Sequence, residues 1–217
     1  MDPTVDWLGH ASFRITSDHG IVYIDPWKIE SGPKGDIILV THPHKDHLSI
    51  VDINKVRQEN TWIVGPPDVV ANFPKKIDLV PQYWKQIPVE DRTSHIKVEG
   101  HRAYNLKKNY HPISKGWLAY VVEIGGYRIY HSGDTDLIPE MEGVKNIDVA
   151  LLAIGGKFTM DPKEAATAAA IIDPKLAIPM HWGDMIGTRE DAEMFEKICP
   201  CDVEIPEVKP WWFTPHR

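Results

Sequence analysis

A chain of 217 residues, 42% hydrophobic and 25% charged, is long enough to bury a sizeable core and has the makeup of a globular rather than a disordered protein. The formal net charge of −7 argues against general nucleic-acid binding, and no apolar run approaches the roughly 20 residues that span a bilayer. Met1-Asp2-Pro3-Thr4-Val5-Asp6 lacks the basic start and apolar stretch of a signal peptide, so the expectation is a cytoplasmic protein, one domain over 1–217, with no membrane or nucleic-acid partner.

Strands are predicted over 5–8, 12–16 and 21–25, with turn signals at Gly9 and at Asp18-His19-Gly20. Four apolar residues within 36–41 predict a buried strand. A helix follows at about 50–58, then a strand over 62–64 and a short helical piece opened by Pro66-Pro67. Residues 77–98 read as short strands joined by loops. A hairpin is predicted from 117–124 and 127–131 across Gly125-Gly126. The strands 149–154 and 175–180 alternate with helices over 162–172 and 189–198. Strand-rich stretches precede helices in each half, which suggests two packed sheets with helices outside, an αββα layering of the α+β class. Cys199 and Cys201 lack the spacing of a redox or zinc-ribbon pair and are expected to be reduced and structural.

The most informative segment is His42-Pro43-His44-Lys45-Asp46-His47, at the C-terminal end of the strand predicted over 36–41. Imidazole nitrogens and carboxylate oxygens are the donors that borderline divalent cations prefer. Pro43 biases His42 toward an extended conformation, in which His42 and His44 share a face. Four donors exceed what one ion usually takes from a short segment, so two adjacent ions are expected. A cage needs partners from elsewhere. Asp134, in His131-Ser132-Gly133-Asp134-Thr135, leaves the sheet just after the hairpin and can bridge two cations; Thr135 or Asp136 is free to cap a helix expected near 136. His181 follows another apolar strand. His111, His101 and His10 compete for a further place, and position alone does not choose among them. His131 lies on the strand, three residues before Asp134, and is less able to reach the ions.

With these residues in view, the chain resembles the metallo-β-lactamase superfamily, in particular metal-dependent hydrolases similar to ascorbate-phosphate lactonases. The resemblance rests on the His-x-His-x-Asp-His run at 42–47, the Gly133-Asp134-Thr135 step, the strand-end His181 and Asp25-Pro26. It implies the αββα four-layer sandwich and two divalent metal ions, zinc first, with manganese or iron as alternatives. It further implies that His42, His44 and a middle histidine hold one ion. Asp46, His47 and His181 would hold the other. Asp134 would bridge them, and Asp25 would anchor the cluster loop. The family's middle histidine closely precedes a short loop and an apolar strand, so His111 is preferred to His101, although relatives often show Gly-His where this chain has Tyr110-His111. His44 stands where the diiron flavoprotein branch has Glu, which argues against oxygen reduction.

Two such cations, roughly 3.5–4 Å apart, activate water near neutral pH for attack on a carbonyl or phosphorus centre. Asp46 is the expected proton acceptor if it reaches the water, although a ligating carboxylate is a weak base, and His10 is expected either at the mouth, as a donor to the substrate, or as a buried turn histidine. Gly155-Gly156-Lys157-Phe158-Thr159 is expected to form a rim loop, and Lys107, Lys108 and Lys157 are either solvated surface charges, the ordinary fate of lysine, or attract an anionic substrate. The leading reading is hydrolysis of a small phosphoester, lactone or amide. Its rivals are a nucleic-acid phosphodiesterase and a non-catalytic metal-binding scaffold. The eight tryptophans, Trp211-Trp212 among them, leave homo-oligomerisation open.

Overall fold

The computed structural model of the chain describes residues 2–71, 73–88 and 95–207. Alternation along the strands builds two sheets. The first contains, in spatial order, β1 (Thr4–Gly9), β2 (Ser12–Ser17), β3 (Gly20–Ile24), β4 (Ile37–Leu39), β5 (Trp62–Gly65) and β6 (Lys76–Asp78). β1 to β3 pair antiparallel and β3 to β6 parallel. The second contains β7 (Trp84–Pro88), β8 (His95–Arg102), β9 (Leu118–Ile124), β10 (Tyr127–His131), β11 (Val149–Ala153), β12 (Leu176–Met180) and β13 (Asp202–Val203), each strand beside its chain neighbour. Here β7 to β10 are antiparallel and β10 to β13 parallel. Both sheets therefore follow one plan, a meander continued by parallel strands.

The four layers follow from which face each residue presents. In β4, Ile37 and Leu39 join the core between the sheets, whereas Ile38 and the following Val40 pack outward with Ile53 and Val56 of α1 (Ile50–Val56). That two-sided burial is why the strand reads as a continuous apolar run. α2 (Pro67–Val70) adds Val69 and Val70 to the same outer cluster. On the second sheet lie α3 (Pro162–Ile172) and α4 (Arg189–Ile198), which pack on each other. Each opens with a reciprocal capping box, Asp161 with Glu164 and Thr188 with Asp191. The predicted αββα sandwich is thus the observed fold. Among the described residues no helix is long and apolar enough to cross a membrane. Phe13 is fully buried in the core between the sheets, with its ring against that of His131. Phe13→Ala is expected to cost about 3–5 kcal/mol, read as a lowered denaturation midpoint.

Several local expectations change. The strand predicted over 36–41 is shorter because the Thr41 amide donates to the Asp25 carboxylate at 2.8 Å instead of to a strand. The helix predicted to 58 ends at Val56, where Arg57 caps it and the Gln58 amide turns to the Thr61 hydroxyl. No helix begins near 136; the first helical turn there is a 3-10 turn over Pro139–Gly143. Thr135 and Asp136 instead tie this segment to Tyr104, Asn105 and Lys108. The hairpin forms as expected, with both turn glycines at positive φ. Cys199 caps the end of α4, and its sulfur lies 3.4 Å from that of Cys201, both as free thiols. Trp211-Trp212 lie outside the described residues.

Candidate metal centre

The two sheets are stitched together at one end. The His181 amide donates to the His10 carbonyl at 2.9 Å, the His131 Nε2–H to the Ala11 carbonyl at 2.9 Å, and the Leu118 amide to the Thr41 carbonyl at 3.1 Å. The stitches bring the ends of β1, β3, β4, β10 and β12 to one place. His10, Asp25 and His181 all sit there at positive φ, of 52°, 46° and 62°. Non-glycine residues adopt that region only where the surroundings enforce it, and such strain gathers at functional sites.

Eight donor-bearing side chains converge. Asp134, 4% exposed, is central: its carboxylate lies 3.4 Å from His47 Nε2, 3.3 Å from His181 Nε2, 3.4 Å from His111 Nε2 and 4.0 Å from His42 Nε2. On one side His44 Nδ1 faces His42 Nε2 at 2.9 Å and His111 Nε2 at 3.3 Å. On the other, Asp46 Oδ2 lies 3.1 Å from His10 Nε2, 3.6 Å from His47 Nε2 and 3.9 Å from His181 Nε2. The donors fall into three overlapping groups: His42, His44 and His111; His10, Asp46, His47 and His181; and His42, His47 and Asp134.

Hydrogen bonds on the far side of three rings aim their remaining nitrogens inward. The Thr41 hydroxyl donates to Asp25 Oδ2 at 2.6 Å, so His42 Nδ1–H donates to Thr41 Oγ1 at 2.9 Å. His47 Nδ1–H donates to Asp25 Oδ2 at 2.6 Å, and His111 Nδ1–H to Asn105 Oδ1 at 3.1 Å. These tautomers, assigned from the network, direct three Nε2 atoms into the cluster. Asn105 is itself fixed by donating to Asp136 and to the Phe158 carbonyl. Trp117 packs against His42 and His44 and anchors its indole N–H on Asp68.

The donors fit a divalent cation. His47 Nε2, Asp134 Oδ1 and both ring nitrogens of His181 are buried with no hydrogen-bond partner among the described residues, a costly state for polar atoms unless something else binds them. Tetrahedral ligation at about 2.0–2.1 Å sets neighbouring ligand atoms roughly 3.3–3.4 Å apart, close to the spacings around Asp134. Charge agrees. Burial opposes ionisation of Asp134, but His181 and His47 hold it well below the usual carboxylate range. Burial likewise opposes charge on His47, yet Asp134 and Asp25 push it well above 6.5. The electrostatics that favour a proton on that nitrogen favour a cation there too. Burial lowers His42 well below its ordinary value and His111 to about 4, which keeps both rings neutral.

The geometry brings together His42, His44, Asp46, His47, His111, Asp134 and His181, with His10 beside them, and leaves out His101 and His131. His101 lies on β8 and pairs with Glu99 at 3.4 Å. Both nitrogens of His131 are used, one toward Ala11 and one accepting from the Gly133 amide. Of the two readings of His10, the mouth position needs correcting and the buried turn is the one observed. His10 is 1% exposed, with its ring 3.9 Å from that of His181, and faces Asp46 rather than an open mouth. Lys108 is also reassigned: its ammonium is held by Asp136 and the Thr159 carbonyl, each at 2.6 Å, so it braces two loops. Lys107 and Lys157 are exposed. Asn105 and Trp117 escaped the sequence reading. Their signal was the spacing around His111, six residues from each.

Gly133 makes the turn before Asp134 possible. Its φ is +57°, and a Cβ there would meet the Leu118 carbonyl oxygen at 2.6 Å. Gly133→Ala is expected to displace Asp134, lowering both the melting temperature and the bound metal per chain.

Residues 4–181 match the family described as the Beta-lactamase superfamily domain. A protein from Methanosarcina mazei named UPF0173 metal-dependent hydrolase is 32% identical, the alignment covering 94% of this chain and 93% of that one. A crystal structure from Parabacteroides distasonis, titled as a candidate metal-dependent hydrolase, superposes with a TM-score of 0.83 at 31% identity over 95% of this chain and 94% of that one. Igni18, a metallo hydrolase from Ignicoccus hospitalis, shares the fold at 22% identity, with a TM-score of 0.74 over 94% and 95% of the two chains. The chain therefore belongs to the β-lactamase superfamily, beside relatives that carry the name metal-dependent hydrolase.

Proposed function

We propose that the protein is a metal-dependent hydrolase whose centre takes two divalent cations, zinc first, and acts on a small, anionic phosphoester, lactone or amide. His42, His44 and His111 would hold one cation and Asp46, His47 and His181 the other, with Asp134 shared between them. Cations held in this way supply Lewis acidity toward the substrate oxygen and lower the pKa of water. The observation that carries the reading is the Asp134 carboxylate, buried and within 3.4 Å of nitrogens from both sides of the cluster.

The chain's own residues do the rest. Asp25, Thr41 and Asn105 fix three imidazoles in the tautomer that points a lone pair inward. Asp46 is a poor proton acceptor: although burial opposes its charge, the His10 hydrogen bond and the His47 charge hold it far below the carboxylate range. Its contribution is charge and orientation. The exposed Lys107 and Lys157 lie on the loops flanking His111 and following β11, and raise the local potential for an anion. A cavity of about 790 Å³, lined by Trp182, Asp184, Met185 and Ile186, opens beside the loop that follows His181 and suits a small molecule.

The test is hydrolysis of bis(p-nitrophenyl) phosphate, a γ-lactone and an anilide before and after chelation. Turnover of at least one, lost on chelation and restored by Zn²⁺ or Mn²⁺, is expected. Metal-replete protein inert toward all three would overturn the proposal.

A further inference from the structure

Of the eight converging donors, His10 is the one given to neither cation above. Three features define its state. First, it is locked. Its carbonyl accepts from the Trp7 indole N–H and the His181 amide, both at 2.9 Å, and its ring lies between Trp27, centroids 5.1 Å apart, and His181, at 3.9 Å. Second, its Nε2 lies 3.1 Å from Asp46 Oδ2, and among the described residues this is the hydrogen bond that the Asp46 carboxylate receives. Third, its Nδ1 is buried with no partner among the described residues.

The second and third features together decide between two roles. An imidazole that ligates a metal through Nε2 carries its proton on Nδ1, and that N–H needs an acceptor. His10 Nδ1 has none among the described residues, and a buried N–H left unpaired costs more than an idle lone pair. His181 Nδ1 has none either, but His181 Nε2 is equally unpartnered and needs a cation, whereas His10 Nε2 already has Asp46. The proton therefore belongs on Nε2, donated to Asp46. Asp46 needs such a restraint. Its side chain is 19% exposed against 4% for Asp134, and it stands on the turn between His44 and His47.

We infer that His10 is a positioning residue: its Nε2–H holds the Asp46 carboxylate in the rotamer that completes the Asp46/His47/His181 cation site. This rests on the two-cation reading above. It also explains why a histidine is strained to a φ of +52° in the β1–β2 turn, where glycine would be relaxed.

The test is titration of the full-length metal-free protein with Co²⁺, followed by its visible absorption, in wild type, His10→Ala and His10→Gln. Wild type is expected to take two ions. His10→Ala should bind one as before and the other about 10–100-fold more weakly, with an altered spectrum for that ion only. His10→Gln places an amide N–H near the Nε2 position and should recover most of the lost affinity, which a purely structural role would not predict. If His10→Ala binds both ions as wild type does, the inference fails while the two-cation reading stands. If His10→Gln is as defective as His10→Ala, the imidazole is itself a ligand and the donor assignment fails. Wild type that takes fewer than two ions would overturn the two-cation reading and this inference with it. Melting curves of the three metal-free proteins separate a folding defect from a site defect, and His10→Gln keeps the test decisive if His10→Ala folds poorly.

Discussion

Asp134→Ala is expected to leave the protein folded but strip it of bound metal and lower hydrolysis by at least about 10²–10³-fold, the range seen when one preorganised electrostatic group is removed. Among the described residues the carboxylate is the one group within 3.4 Å of nitrogens from His47, His111 and His181, so its loss uncouples both halves of the cluster. It also leaves several buried imidazoles facing each other without a negative charge between them. Asp134→Asn retains the shape but supplies no charge, so it should fall close to alanine in activity and nearer wild type in stability. Metal analysis, turnover and thermal melting on the same preparations distinguish these outcomes. Normal metal content in Asp134→Ala would remove the shared carboxylate from the account.

Asp25→Ala should have the second-largest effect, through stability as well as metal. Asp25 is fully buried and accepts from the Thr41 amide, the Thr41 hydroxyl and His47 Nδ1, at 2.8, 2.6 and 2.6 Å. Removing it orphans a buried amide and leaves His47 without its inward-aiming restraint. Deleting one partner of a buried charged pair costs about 3–5 kcal/mol. Loss of a group that orients a metal ligand weakens binding by about 10–100-fold. Denaturant unfolding should therefore show a large drop even in metal-free protein, and metal titration a further loss. A variant with wild-type unfolding and weakened metal binding would mean that Asp25 tunes the ligand without supporting the fold.

Much of this centre was legible in the chain, for a physical reason. The donors sit where apolar strands stop, and strand ends can be read from local pattern. β4 announces His42, β10 announces Asp134 and β12 announces His181. The choice between His111 and His101 was not legible from position and came only from the family resemblance, because it depends on which side of β8 and β9 each residue leaves the sheet. His101 stays within β8, paired to β9, while His111 follows the strand in a loop held by Asn105. The burial of His10, one of its two readings, was equally undecidable from position. It arises from stitches between residues 10 and 181 and between 11 and 131, contacts of long sequence separation that no local pattern encodes. Lys108 looked like a free surface charge because its partners, Asp136 and Thr159, are distant in sequence.

The most direct measurement is anomalous diffraction from crystals of the protein grown with zinc, recorded on both sides of the absorption edge. The account predicts two peaks on either side of Asp134, one within bonding distance of His42, His44 and His111 and the other of Asp46, His47 and His181. A single peak, or two peaks that do not share Asp134, would contradict it.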